Sequence, residues 1–167
     1  VLEEGARIVK EVNREVAEAI GINPAARTTC VKPSGNASVL LQTGSGIHAE
    51  HSEMYIRNVQ MTKDSEVTAA IKASNPFMVE DSVWSATGSD VVVSFPILPK
   101  EGSIFKDELL GVDHLEKVKL AQKHWVEAGT NVELCADEGV RHNVSNTIIV
   151  DDWDKVEKYV FENRNSF

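Results

Sequence analysis

The residues best suited to chemistry lie in one run: Arg27-Thr28-Thr29-Cys30-Val31-Lys32-Pro33-Ser34-Gly35-Asn36-Ala37-Ser38-Val39-Leu40-Leu41. Arg27–Lys32 has the Thr- and Val-rich composition of a buried strand. Pro33-Ser34-Gly35 breaks it, and Ala37–Leu41 has the apolar character of a short helix, with Ser34 or Asn36 as N-cap. Strand, small-residue turn and helix start together turn free backbone N–H groups and the positive end of a helix dipole toward an anion. The small residues Ser34, Gly35, Asn36, Ala37 and Ser38 let a phosphate approach the backbone, and the two serine hydroxyls add hydrogen bonds. The same residues also make an ordinary serine-capped turn, and local chemistry alone does not separate the two readings.

Other residues invite a chemical reading and carry less. His48 and His51, with Glu50 and Glu53, are of types that ligate zinc, but they sit in a Gly-rich loop with no third ligand at a defined spacing, so no metal site is expected. His142, beside Asn143, has no identifiable acid–base partner and reads as a hydrogen-bonded residue at a strand end. The acidic run Asp151-Asp152-Trp153-Asp154 lacks EF-hand spacing and is explained by helix capping. Arg57 has the chemistry to pair with a carboxylate or to reach a phosphate, and its position does not choose. Cys30 and Cys135 have no Cys-x-x-Cys spacing, which points to a reducing compartment with both thiols buried, and hence to the cytoplasm. Trp84, Trp125 and Trp153 read as core.

These sites need a scaffold, and the periodicity supplies one. Leu2–Ile20 is an amphipathic helix, with Leu2, Ala6, Val9, Val12, Val16 and Ile20 at helical spacing and a stop at Gly21. It starts almost at the first residue without a cap, as in a piece of a longer chain. Gln42–His51 is a Gly- and Ser-rich loop, and Met54–Met61 a strand. Asp64 caps a helix carrying Val67, Ala70 and Ile71 that ends at Asn75-Pro76. Asp90–Phe95 is the clearest strand, and Pro96–Gly111 is irregular. Asp113–Glu127 is a helix opened by an Asp113/Glu116 capping box, Asn143–Val150 a strand, and Asp152–Asn163 a last helix with Trp153, Val156 and Val160 inward. Helices interleaved with Val-, Ile- and Thr-rich strands indicate an α/β class with mainly parallel pairing. With a net charge of −9 the chain lacks the basic track a polynucleotide needs, though a nucleotide needs only a local anion site. No apolar run is long enough to span a membrane.

In longer context the loop resembles the catalytic subunit of ribonucleotide reductases. The residues are Val31-Lys32-Pro33-Ser34-Gly35-Asn36, then Ser45-Gly46-Ile47-His48 and Tyr55-Ile56-Arg57. They are similar to the Val-Lys-Pro-Ser-Gly-Thr loop, Ser-Gly-Ile-His turn and Tyr-Ile-Arg strand of the adenosylcobalamin-dependent (class II) branch. His142-Asn143-Val144-Ser145-Asn146-Thr147-Ile148 and the acidic helix after it resemble a late barrel strand and helix of that family. Asn36 stands where the family usually has Thr, and Asn58 where a second Arg is common.

The resemblance implies that residues 1–167 are one incomplete domain, a C-terminal fragment of the ten-stranded α/β barrel of these enzymes. It implies reduction of a ribonucleoside di- or triphosphate, its ribose 2′-hydroxyl replaced by hydrogen through a cysteine thiyl radical generated with adenosylcobalamin. Ser34, Gly35, Asn36, Ala37 and Ser38 would then hold the substrate phosphates, with Pro33 and His48 lining the pocket. The rest of the reductase chain would be the partner, and no catalytic residue falls here: the family needs a radical cysteine and a cysteine pair, and only Cys30 and Cys135 exist. This chain alone is therefore expected to be inactive. A fragment of a metal-initiated (class I) reductase, which shares the loop, and a non-catalytic nucleotide- or phosphate-binding module are the alternatives.

Overall fold

The computed structural model describes residues 1–34 and 37–167, and the side chains of all of these except Val39 and Leu40. They form two compact units, one of Val1–Glu50 with Gly102–Phe167, the other of His51–Glu101.

The larger unit opens on helix α1, Leu2–Ile20, closed by Gly21 in the left-handed conformation at φ 73°. Its burial differs from the expected apolar row. Ala6 and Ala17 are buried, while Ile8, Val12, Val16 and Ile20, spaced four apart on one ridge, are exposed. The small side chains lie inward because the helix packs against a bulky neighbour, the Trp125 ring, whose Cζ3 would be 3.2 Å from a Cβ at Gly5.

Helix α2 spans Ala37–Leu41, as expected. The strands expected at Arg27–Lys32 and Asn143–Val150 do not form ladders. Each is extended backbone with single bridges, Arg27 to Thr130 antiparallel and Val31 to Val144 parallel. The hydrogen-bonding groups of the first segment go largely to loop backbone. Thr28 N–H and Oγ1 both donate to the Gly129 carbonyl, at 3.0 and 2.8 Å, and Thr29 Oγ1 donates to the Trp125 carbonyl at 2.5 Å. Val31 N–H donates to the Asn143 carbonyl at 3.4 Å, and Ser145 N–H returns to the Val31 carbonyl at 2.9 Å.

The helix expected over Asp113–Glu127 begins two residues earlier. Helix α3 is Glu66–Ser74 of the smaller unit, and α4 is Gly111–Ala121, continuing as a π turn over Gln122–Glu127. The Asp113/Glu116 capping box does not form, because Gly111 N–H is already tied to the Ile149 carbonyl and Asp113 falls inside the first turn. Glu116 instead accepts the Tyr159 hydroxyl at 2.5 Å. Helix α5, Trp153–Glu162, starts at Asp152, whose carboxylate accepts Lys155 N–H. Trp153 is 74% exposed rather than inward. The core of the unit gathers Val118, Ala121, Val126 and Val144, with Val31, Ile47, Trp125 and Ile148 packed on it.

The smaller unit holds the one sheet among the described residues. Its strands are β1 (Tyr55–Thr62), β2 (Val79–Asp81) and β3 (Asp90–Ile97), in the order β1-β3-β2. Both pairings are antiparallel, with Val59 opposite Val93 and Val79 opposite the same residue. The expectation of mainly parallel pairing therefore fails here: the turn at Ser82–Gly88 is short enough to return β2 directly onto β3 as a hairpin. β2, only three residues long, gave no periodic signal. Helix α3 is capped by Ser65, whose Oγ accepts Thr68 N–H at 3.1 Å, one residue after the expected Asp64. Val91 and Val93 are buried, while Trp84, read as core, is 84% exposed.

Among the described glycines, Gly129 leaves the least room for a side chain. A Cβ there would overlap the Thr29 side chain. Gly129→Ala is expected to destabilise the chain by about 1–3 kcal/mol through overpacking. Urea unfolding checks this, and Thr29→Ala in the same chain is expected to relieve part of the loss.

Candidate functional site

The Pro33–Ser38 turn is built at the end of the extended segment that pairs with Val144. Ser34 Oγ accepts Ser38 N–H at 2.9 Å, and Ser38 Oγ donates to the Ser34 carbonyl at 2.7 Å. This reciprocal pair folds the turn back onto the start of α2. It also divides the labour between the two hydroxyls. Ser34 uses a lone pair and keeps its proton for another acceptor; Ser38 spends its proton inside the turn and is 4% exposed. The Ser38 hydroxyl proton is thus engaged within the turn. Pro33 and Ala37 are exposed, Ser34 is half-buried, and Gly35 and Asn36 lie outside the described residues.

A second turn, Ser45-Gly46-Ile47-His48, stands against the first. Its His48 N–H closes on the Ser45 carbonyl at 3.1 Å. Gly46 has φ 64°, and a Cβ on it would come within 2.9 Å of the Lys32 carbonyl, so only glycine allows the two backbones so close. Ser45 Oγ donates to the Ser34 carbonyl at 3.0 Å, joining the turns.

His48 is held at both nitrogens. Nδ1 lies 2.6 Å from the Ser45 carbonyl, which can only accept, and Nε2 takes the Thr147 backbone N–H at 2.8 Å. These partners define a neutral imidazole protonated at Nδ1. His114, which the sequence reading passed over, meets the His48 ring edge-on at 6.1 Å between centroids and donates from Nε2 to the Ile47 carbonyl. Ser45 and Thr147 were also missed as participants. The three-residue spacing of Ser45 and His48 was the available signal for the first; nothing local pointed to the second.

The remaining candidates have partners of their own. His51 is exposed, with its ring edge-on to Tyr55, and Arg57 donates to the Tyr55 hydroxyl at 3.0 Å with its guanidinium over that ring. The His142 carbonyl accepts from the buried Gln122 side chain at 3.3 Å. Cys30 is exposed, against the buried reading, because it sits on a segment bonded to neighbours through its backbone: its carbonyl accepts the Trp125 indole N–H. Cys135 is half-buried near the Asn131 carbonyl. No group of three or more potential metal ligands occurs among the described residues. No helix among them is long and apolar enough to cross a membrane.

No protein-family model matches the chain. It is similar to a Dictyostelium discoideum protein named probable adenosylcobalamin-dependent ribonucleoside-triphosphate reductase, 27% identical over 123 residues, 74% of this chain and 16% of that protein. The adenosylcobalamin-dependent ribonucleoside-triphosphate reductase of Euglena gracilis is 26% identical over 149 residues, 85% of this chain and 20% of that protein. Among solved structures, a B12-dependent (class II) ribonucleotide reductase matches at TM-score 0.66 and 18% identity, over 97% of this chain and 22% of that one. The chain therefore spans a fifth or less of the curated relatives it matches, and it shares an α/β fold with part of the solved enzyme. The resemblance drawn from the sequence motifs is borne out.

His114 adds a titration to this site. It is 3% exposed, and burial pushes its pKa below the ordinary histidine value, with the bond to Ile47 opposing the shift. A histidine with a depressed folded pKa binds its proton more readily in the unfolded chain, so stability is full above the unfolded value of about 6.5 and falls as pH drops below it. Unfolding free energies of the chain, measured from pH 8 down to about pH 5, are expected to decline over this window, and His114→Gln is expected to flatten that part of the decline.

Proposed function

We propose that this chain is a segment of an adenosylcobalamin-dependent ribonucleotide reductase and supplies the loop that holds the substrate's phosphates. What supports the reading most is a coincidence of position. Of the motifs that carry the family resemblance, three that are scattered in sequence, at Val31–Ser34, Ser45–His48 and His142–Ile148, are joined by hydrogen bonds at one place, while Tyr55–Arg57 belongs to the smaller unit. That place lies at the end of two adjacent parallel segments, where α/β folds bind their ligands.

In this reading both units belong to one incomplete domain, the C-terminal part of the catalytic α/β barrel. The substrate is a ribonucleoside di- or triphosphate. Backbone N–H groups of Gly35, Asn36 and Ala37 meet its phosphate oxygens, the Asn36 amide and the Ser34 hydroxyl add donors, and Ser38 keeps the turn in shape from within. Exposed Pro33 lines the edge of the pocket. The rest of the reductase chain covers the apolar ridge Ile8, Val12, Val16 and Ile20, which is exposed here. The protein works in the cytoplasm.

Among the described residues, the two site histidines do not fit adenosylcobalamin. His48 has both nitrogens committed to backbone groups, and His114 is buried, so neither offers a ring to a large cofactor. The cofactor, the radical cysteine and the reducing pair belong to other parts of the longer protein, and no step through them is assigned to this segment. What this segment does is bind and orient: fixing the phosphates places the ribose against chemistry supplied elsewhere.

Two outcomes test the reading. In the complete reductase, Gly35→Asp is expected to raise the KM for the nucleotide about tenfold or more, through like-charge repulsion at the phosphates. An unchanged KM in steady-state assays refutes the loop's role. The chain by itself, incubated with adenosylcobalamin, a dithiol and each ribonucleotide, is expected to form no deoxyribonucleotide. Turnover that survives Cys30→Ser and Cys135→Ser would sink the fragment reading.

A further inference from the structure

His48 is the link between the phosphate loop and the segment beside it. A continuous series of hydrogen bonds runs from Thr147 N–H to His48 Nε2, from His48 Nδ1–H to the Ser45 carbonyl, and from Ser45 Oγ to the Ser34 carbonyl. The Ser34 carbonyl also receives Ser38 Oγ, so the series ends on the two serines that fold the loop. Backbone pairing of Val31 with Asn143 and Ser145 fixes the base of the loop, but it stops before Pro33. Beyond that point, this side-chain series is what the described residues offer to hold the turn against residues 143–148. With both nitrogens engaged, the ring has no donor or acceptor left for a substrate.

We infer that His48 is a positioning residue for the nucleotide's phosphates, acting through Ser45 and Ser34 rather than touching the substrate. This rests on the reading of residues 34–38 as the phosphate loop. Its imidazole spans a donor and an acceptor that no smaller side chain reaches together. Asn can reproduce the Nδ1–H donation to Ser45, and Gln the acceptance from Thr147, but neither reproduces both. Losing the link leaves the loop's own Ser34–Ser38 pair intact and frees the turn to sample other positions. The cost then falls on substrate binding rather than on the chemical step.

The test uses the complete reductase carrying His48→Ala, His48→Gln or His48→Asn, with Gly35→Asp measured alongside. His48→Ala is expected to raise the KM for the ribonucleotide about three- to tenfold, the size of one or two hydrogen bonds, with kcat within about twofold of the parent. His48→Gln and His48→Asn are each expected to recover part of the loss. A role confined to folding would instead lower the melting temperature and the active fraction, reducing kcat with KM unchanged, and that result overturns the inference. A KM raised by Gly35→Asp but untouched by His48→Ala overturns it alone. A KM untouched by Gly35→Asp overturns the phosphate-loop reading and this inference with it.

Discussion

The larger unit depends on the backbone bonds that hold Val31 between Asn143 and Ser145. They bring two segments more than a hundred residues apart in the chain side by side and pointing the same way. Everything at the candidate site follows from that adjacency. The Pro33–Ser38 turn leaves the first segment where Asn146 and Thr147 leave the second, and His48 links them through Ser45, which bonds the Ser34 carbonyl. Behind the pairing, Thr28 and Thr29 bond the carbonyls of Gly129 and Trp125, and Asn131 bonds the Ala25 and Ala26 carbonyls. The extended segment is thus held by the end of α4 and its π turn, in place of a full ladder.

A site of this kind suits an acidic protein. With a net charge of −9 the chain repels polyanions at long range, but backbone N–H groups at a turn carry no net charge and act over one hydrogen bond. In the proposed reading, selectivity for a small phosphate compound over a polynucleotide would rest on geometry rather than on overall charge. The same economy explains why Ser38 is turned inward. Its buried hydroxyl donates to the Ser34 carbonyl within the turn.

The apolar surface is uneven. Ala6 and Ala17 meet the core through the Trp125 side of α1, and the neighbouring ridge of Ile8, Val12, Val16 and Ile20 is bare. The apolar arc of this helix is wider than the part the described residues cover. Rows of branched residues four apart are the ridges by which helices interdigitate, so the row has the form of a packing surface.

The amino-acid sequence by itself determined the elements whose signals are local. α1 with its glycine stop, α2 after the Pro-Ser-Gly break, β3 with its valine run and α5 behind Asp152 follow from periodicity, turn chemistry and capping, which act within a few residues. The family resemblance was legible for a similar reason: its motifs are short runs of neighbouring residues. Tertiary structure decided the rest. Antiparallel pairing in the smaller unit, single bridges in place of two strands and the early start of α4 depend on which neighbour reaches each backbone group. Cys30 is exposed and Trp153 faces out because no element among the described residues packs over them. The role of His48 was the least legible of all. Its type and loop suggested a pocket, and its partner at Nε2 is a backbone N–H at Thr147, 99 positions away in the chain, which only folding brings within 2.8 Å.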